Sequence, residues 1–195
     1  MRYLIDVRGE FACFTNISRM ERDTYPCITP SAARGIFDAI LWKPAIRWSV
    51  HTVYICEPVR YVNIQRNELA KRPNSFGEAD RDLRFTRCLR KVRYVIEASF
   101  KMTEYAGPRD SMEKFEEMFV KRITTGQLYR DPFLGMREFP ATVSLFQGDP
   151  LKEVNTDAHY PTFQMTYDFE SSISNNFLTF PASIEEGVMK VKLPC

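Results

Sequence analysis

The stretch that decides the fold is residues 92–101, which read VRYVIEASFK. Apolar and polar side chains alternate along it, with Val92, Tyr94, Ile96, Ala98 and Phe100 on one side and Arg93, Val95, Glu97, Ser99 and Lys101 on the other. Successive side chains of a strand project to opposite faces of a sheet, so this alternation predicts a half-buried β-strand. It is the clearest strand of the chain.

A helix is predicted upstream of this strand. Thr29 suits the cap position and Pro30 suits the first turn, so the helix begins there. It is expected to run to about Trp42, because Pro44 biases Lys43 away from helical geometry. Trp42 itself is interpreted as a packing residue, with stacking on a base as the alternative.

A second helix is predicted downstream, beginning at Asp110 or Ser111 and ending at Gly126. Its buried face consists of Met112, Phe115, Phe119 and Ile123. Further extended segments are predicted at residues 2–8, 50–56, 59–64, 142–146, 162–169, 177–180 and 188–193.

The order strand, helix, strands, helix, strand predicts an α+β domain of the ferredoxin-like, RNA-recognition type over residues 1–147. Residues 148–195 are expected to form a small C-terminal β extension of its sheet. A basic excursion at about 65–91 is read mostly as a flexible loop. Within it, arginines recur at every third position (Arg81, Arg84, Arg87, Arg90 and Arg93). On a helix this spacing would bring several guanidinium groups to one side, and a solvated helical turn is the equal alternative.

The charge of the chain is unevenly distributed. The 195 residues carry a formal net charge of only +2. Residues 60–93 contain ten basic and four acidic side chains, whereas residues 149–195 contain three basic and seven acidic ones. The basic part is suited to follow a phosphate backbone, although a solvated charged loop gives the same pattern.

Several kinds of chemistry are excluded by the sequence. It has no phosphate-binding loop and no dinucleotide fingerprint. The two histidines, His51 and His159, are too few for a histidine-rich metal site, and both are read as surface or hydrogen-bonded groups. The five cysteines include no C-x-x-C pair. There is no secretory signal and no apolar stretch long enough to span a membrane, so we expect a cytoplasmic protein without metal or cofactor.

Four blocks of sequence carry a family resemblance. They read GEFACFT at 9–15, TPSAARGIFDAILWKP at 29–44, VRYVIEASF at 92–100 and FLGMREFP at 133–140. In these blocks and in their order, the chain resembles the CRISPR-associated RAMP proteins of the Cas-five group, in the form found in subtype I-C. The blocks span about the first three quarters of the chain, and the last quarter matches loosely.

The resemblance implies a role in CRISPR antiviral defence. Members of the family have a modified ferredoxin-like fold and hold the 5′ handle of the crRNA. They cap one end of a Cascade complex beside backbone subunits of the Cas-seven type and a large subunit of the Cas-eight type, so target DNA is contacted only indirectly. In subtype I-C they also cut pre-crRNA at the base of the repeat hairpin, without a metal, by attack of a 2′-hydroxyl on the neighbouring phosphate.

The resemblance also locates the usual catalytic positions, and here this chain departs from the family. They correspond to Leu41, which cannot transfer a proton, and to Ser99, whose hydroxyl is too weak a base to act unaided. Lys43, Tyr94 and Lys101 are the substitute candidates.

Candidate RNA contacts at matching positions are Arg34, Lys43, Arg47, Arg93, Lys101 and Arg137. Each of them alone is equally typical of a surface salt bridge. Three functions therefore stay open. The first is a crRNA-binding Cascade subunit in which RNA cleavage is undecided. The second is a fully active metal-independent endoribonuclease that uses substitute residues. The third is an α+β interaction domain unrelated to RNA.

Overall fold

The computed structural model describes residues 1–16, 22–69, 81–167 and 178–191. Its elements, in chain order, are β1 (Tyr3–Ala12), α1 (Pro30–Ile40), β2 (Ile46–Ile55), β3 (Tyr61–Leu69), β4 (Arg81–Met102), α2 (Met112–Thr125), β5 (Thr142–Leu145), β6 (Tyr160–Tyr167), β7 (Leu178–Ile184) and β8 (Val188–Lys190). Among these helices, none is both long enough and apolar enough to cross a membrane.

Six of the strands form one sheet in the order β5-β1-β4-β2-β8, with β3 added to β4. Every pairing in it is antiparallel. The 22-residue β4 is the central strand of this sheet. Its second half lies between β1 and β2, and its first half pairs with β3. Strands β6 and β7 pair separately. The fold is thus a mixed α and β structure built on a mostly antiparallel sheet.

Both helices begin where the sequence predicts. The Thr29 side chain accepts a hydrogen bond from the Ala32 amide at 3.2 Å, which caps α1. The helix ends at Ile40, two residues before the predicted Trp42. In α2, Ser111 is the cap, and Gly126 ends the helix in the left-handed conformation (φ 72°) that glycine adopts without strain.

The two helices pack on one face of the sheet around an aromatic cluster. Phe37 of α1 lies 4.8 Å from Trp48 of β2, measured between ring centroids. Phe119 of α2 lies 4.9 Å from both Tyr3 and Trp48, and Phe100 of β4 lies 5.0 Å from Trp48. The packing of both helices on this inner face leaves the opposite face, which we call the outer face, to the polar side chains of β1, β2 and β4.

The prediction that the basic excursion at 65–91 is a flexible loop is wrong for most of its length. Residues 61–69 pair with residues 81–89 as the two arms of a β-hairpin, and residues 70–80 lie outside the described residues. On a strand, a spacing of three sends successive arginines to opposite faces, so these side chains cannot gather on one side as they would on a helix. Arg87 instead lies over the ring of Tyr61 at 3.9 Å, and Arg90 pairs with Glu10.

One strand of the C-terminal segment, β8, joins the main sheet, whereas β6 and β7 pair with each other. Strand β8 pairs with β2, and the Ile55 amide donates to the Gly187 carbonyl at 2.8 Å. Met189 of β8 is fully buried, with its sulfur 3.7 Å from the sulfur of Cys27. The last described strand is therefore part of the same core as the helices.

Candidate functional site

Of the two family-derived catalytic positions, the structure buries one and places the other on the outer face. Leu41 is fully buried at the end of α1, where its carbonyl accepts a hydrogen bond from the Trp48 indole at 3.1 Å. Ser99 lies on the outer face in the second half of β4, and its hydroxyl oxygen is 2.7 Å from Nε2 of His51. A proton-transferring group thus stands beside Ser99, supplied by the neighbouring strand.

A β-bulge brings His51 to this place. Strand β2 pairs Val50 and Thr52 with consecutive residues of β4, so His51 is the extra residue between them. Bulges re-aim side chains in this way. Here two consecutive side chains reach the outer face, where His51 meets Ser99 and the Thr52 hydroxyl donates to Glu97 at 2.9 Å. An unbulged strand would have sent one of the two into the core.

The surroundings of His51 favour its neutral form. Partial burial, followed by the charge of Arg2, lowers the pKa of His51 from its ordinary value; Lys101 lowers the pKa further and Glu97 offsets part of the effect. Glu97 is itself paired with Arg2, with 3.0 Å between Oε1 and Nη1. A neutral imidazole has one nitrogen able to accept a proton, so the site can supply a base near neutral pH.

Two predicted RNA contacts come together beside this histidine. Arg47 of β2 and Lys101 of β4 are direct partners across the two strands, and both are exposed. They lie two residues along each strand from the pair Ser49 and Ser99, on the same face. Like charges directly opposite each other on a sheet repel. Their pairing at the edge of the site is therefore suited to a negatively charged ligand.

Arg93, another predicted RNA contact, is engaged within the protein. Its guanidinium lies 2.7 Å from a carboxylate oxygen of Asp6 and 2.7 Å from one of Glu153, and its side chain is only 20% exposed. Arg8 binds the other oxygen of Asp6 at 2.9 Å. Burial alone would raise the pKa of Asp6, but the hydrogen bonds from Arg8 and Arg93 outweigh it and hold that pKa below its ordinary value. Arg93 is thus held by two carboxylates of the protein.

The remaining predicted contacts are spread over three places. Lys43 lies in the turn between α1 and β2, near the start of the strand that carries Arg47. Arg34 of α1 lines a cavity of about 380 Å³ together with Arg130. Arg137 is exposed on the loop at 133–140, which joins the far end of β1. Only Arg47 and Lys101 are direct cross-strand partners.

Tyr94 is removed from the outer face. It lies on the inner face of β4, is 2% exposed, and has a pKa raised far above its ordinary value by burial. Such a hydroxyl has neither access to a substrate on the outer face nor a tendency to ionise.

Trp42 is exposed rather than packed in the core. Its ring is 47% exposed and stacks on Tyr129, which is itself 52% exposed, with the centroids 5.7 Å apart and the planes 25° from parallel. Stacked aromatic side chains at a surface are typical of platforms for unpaired bases. The base-stacking alternative noted from the sequence thus gains support from the exposure of Trp42.

Metal-ligating side chains do not converge anywhere in the described residues, where no group of three or more His, Cys, Asp or Glu is placed to hold an ion.

Comparison with known proteins gives a consistent picture. A family model described as a CRISPR-associated protein (Cas5) matches residues 3–192. A CRISPR pre-crRNA endoribonuclease Cas5d of Mannheimia succiniciproducens is 37% identical over 216 residues, covering 97% of this chain and 94% of the relative. The protein of the same name from Thermus thermophilus is 35% identical over 171 residues, covering 85% and 74%.

Solved structures resemble the chain in fold. A crystal structure of a CRISPR-associated protein superposes with a TM-score of 0.75 at 22% identity, covering 99% of this chain and 92% of the other. A functionally uncharacterized protein of Streptococcus mutans gives 0.73 at 20% identity, with 99% and 93% covered. A chain of a CRISPR RNA-guided surveillance complex gives 0.52 at 16% identity, with 97% and 88% covered.

Proposed function

The chain belongs to the CRISPR-associated Cas5 family, and we propose that it is a crRNA-binding subunit of a type I, I-C-like Cascade complex that also processes pre-crRNA. It would hold the 5′ handle of the crRNA and cap one end of the assembly. Relatives at 35% and 37% identity that are named as pre-crRNA endoribonucleases support the processing activity.

The observation that carries this proposal is the juxtaposition of cations and a proton-transferring group on the outer face. Arg47 and Lys101 stand side by side, and the contact between His51 and Ser99 lies next along the same two strands. An RNA backbone presents phosphates to cations and a 2′-hydroxyl to a base, so one strand of RNA laid across this face meets both.

The proposal extends to architecture and partners. The order β5-β1-β4-β2, with α1 and α2 on one face, supports a ferredoxin-like domain over residues 1–147 with residues 148–195 as its β extension. We infer subunits of the Cas-seven and Cas-eight types as neighbours, indirect contact with target DNA, and a cytoplasmic location.

The test is a binding and cleavage experiment with the cognate repeat hairpin RNA, end-labelled, in excess EDTA. Lys101→Glu is expected to weaken binding about tenfold and to flatten the slope of log K against log salt by roughly 0.7–0.9, the contribution of one phosphate contact. The matched control is Lys121→Glu, which makes the same charge change at an exposed position of α2.

Equal effects of the two substitutions would show that the outer face is not the RNA surface. Absence of salt-dependent binding by the unmodified chain would instead favour an interaction domain unrelated to RNA. Binding without cleavage would leave a handle-holding subunit whose RNA is cut by another enzyme.

A further inference from the structure

We propose that His51 is a catalytic residue of this protein, accepting the proton of the attacking 2′-hydroxyl, and that Ser99 is the residue that positions it. This inference rests on the function proposed above. It assigns the chemistry to a residue that neither the family-derived positions nor the residue pattern identified.

The bulge is the first observation behind it. His51 is the inserted residue of β2, and the backbone on both of its sides continues in regular pairing with β4. The His51 carbonyl also accepts a hydrogen bond from the Val191 amide at 2.8 Å, so the bulge is held from the β8 side as well. The ring therefore projects from a fixed backbone, as a proton acceptor requires.

Ser99 fixes the ring itself. In the tautomer that carries its proton on Nε2, His51 donates to the Ser99 hydroxyl across 2.7 Å and keeps the lone pair of Nδ1. Among the described residues, the hydrogen bond of the His51 ring is the one at Nε2, which leaves Nδ1 to accept a proton. A base held by an orienting partner on its other nitrogen is the arrangement that general-base catalysis uses.

The charged neighbours suit the transition state. In the reaction, the bond between the 2′-oxygen and phosphorus forms while the bond between phosphorus and the 5′-oxygen breaks. His51 takes the 2′-hydroxyl proton, and water protonates the departing 5′-oxygen and leaves a hydroxide that recovers the proton from His51. The products are a 2′,3′-cyclic phosphate and a 5′-hydroxyl. Lys101 and Arg47 lie where they can offset the charge that builds on the phosphoryl oxygens.

The protonation of His51 gives the inference a distinctive pH dependence. The charged groups around the ring are Arg2 beside β1, Glu97 and Lys101 on β4, and Lys190 on β8 opposite Thr52. Burial and the nearby cations lower the pKa of His51, so the neutral, active form persists below the ordinary midpoint of about 6.5. The cleavage rate should therefore decrease only when the pH drops below that value, where His51 becomes protonated.

The experiment measures single-turnover cleavage and binding of the cognate repeat RNA side by side in EDTA. His51→Ala is expected to lose about 10²–10⁴-fold in cleavage rate while RNA binding is retained. His159→Ala, which removes the chain's other histidine from an exposed site, should cleave like the unmodified protein. Arg2→Gln should shift the acid limb of the rate profile to higher pH, because it removes a cation that lowers the pKa of His51.

His51→Gln guards against simple loss of folding, because its amide can still bond to Ser99 but cannot accept the proton. A His51→Gln protein that binds RNA and cleaves at the original rate would overturn the inference. So would an unmodified protein that binds but never cleaves, and in that case the binding function would stand. If the unmodified chain did not bind repeat RNA at all, the proposed function would fail and the inference would fail with it.

Discussion

At the scale of single residues, Asp6 is the carboxylate on which the middle of the outer face depends. Its side chain is 6% exposed and receives hydrogen bonds from Arg8 and Arg93. Asp6→Asn should destabilise the fold by roughly 1.5–3 kcal/mol at pH 7, because Arg93 loses one of its two carboxylate partners and keeps only Glu153. Urea denaturation of both proteins measures this difference.

The pH dependence of that difference has a definite sign. The pKa of Asp6 is lowered in the folded state, so its stabilising contribution is present above the unfolded value of about 3.9 and is lost as the pH falls through the folded-state pKa. The unmodified protein and Asp6→Asn should therefore converge in stability below about pH 3.9. If the variant stayed less stable than the unmodified protein at that low pH, the difference would point to a packing defect in the variant.

Trp42 offers a prediction about RNA at the same scale. If its exposed stack with Tyr129 receives a base, Trp42→Ala should weaken repeat-RNA binding by about 1–3 kcal/mol. Tyr129→Phe keeps the ring and should bind normally in the same filter-binding titration. If the unmodified protein, Trp42→Ala and Tyr129→Phe bound the RNA equally well, the stack of Trp42 on Tyr129 would have no role in RNA binding.

The same residues show what the sequence determines at this scale. Ser99 could be placed on a polar strand face from its alternation alone, and the structure confirms that placement. His51 was not assigned to the site from the sequence. The signal for it is a break in the alternation, because two polar residues, His51 and Thr52, separate the buried Val50 from the buried Val53. The two carboxylates that pair with Arg93, those of Asp6 and Glu153, are distant from it in sequence. The sequence therefore could not show that Arg93 is held in ion pairs.

At the scale of elements, the loop at 133–140 docks on the end of β1 through a glycine. Gly135 has φ 83°, and an added Cβ would overlap the carbonyl oxygen of Cys13. Gly135→Ala should therefore cost roughly 2 kcal/mol or more in unfolding free energy. Gly35 is the contrasting case, since it lies within α1 and a Cβ there meets nothing within 4 Å.

Gly35→Ala is accordingly expected to stabilise the protein by about 0.5–1 kcal/mol, because alanine loses less backbone entropy in a helix than glycine does. Thermal and urea unfolding of the two variants should move in opposite directions. A loss of stability in Gly35→Ala would indicate that the backbone around this position is not regular helix.

Local signals account for the elements that were predicted well. The Thr29 and Ser111 caps and the Gly126 stop are chemical features of a few residues, and they fixed the helix positions to within two residues. Residues 59–64 were predicted to be extended, but the rest of the β3–β4 hairpin was missed. Both its arms are charged and much of it is solvent-exposed, so the alternation that marks a half-buried strand is weak there.

At the scale of the whole molecule, the two faces of the sheet differ in chemical character. Its inner face is covered by two helices and supplies the aromatic core, while its outer face keeps the bulged histidine, the Arg47–Lys101 pair and the Asp6 ion pairs. The division follows from β4, whose alternate residues serve the two faces. The ion pairs of Asp6 hold the Arg8 and Arg93 side chains in place on this face.

The C-terminal segment is predicted to be required for this whole arrangement. Ile184 and Met189 are fully buried, and β8 covers the edge of β2 beside Val53. Each such side chain stabilises a fold by about 1.5–3 kcal/mol, so losing this segment removes much of a typical total of about 5–15 kcal/mol. A chain ending at residue 147 should therefore lack the single cooperative thermal transition expected of the full chain by circular dichroism. Cooperative unfolding of the shortened chain at an unchanged temperature would instead make residues 148–195 an appendage, and the bulge at His51 would then be held by β4 alone.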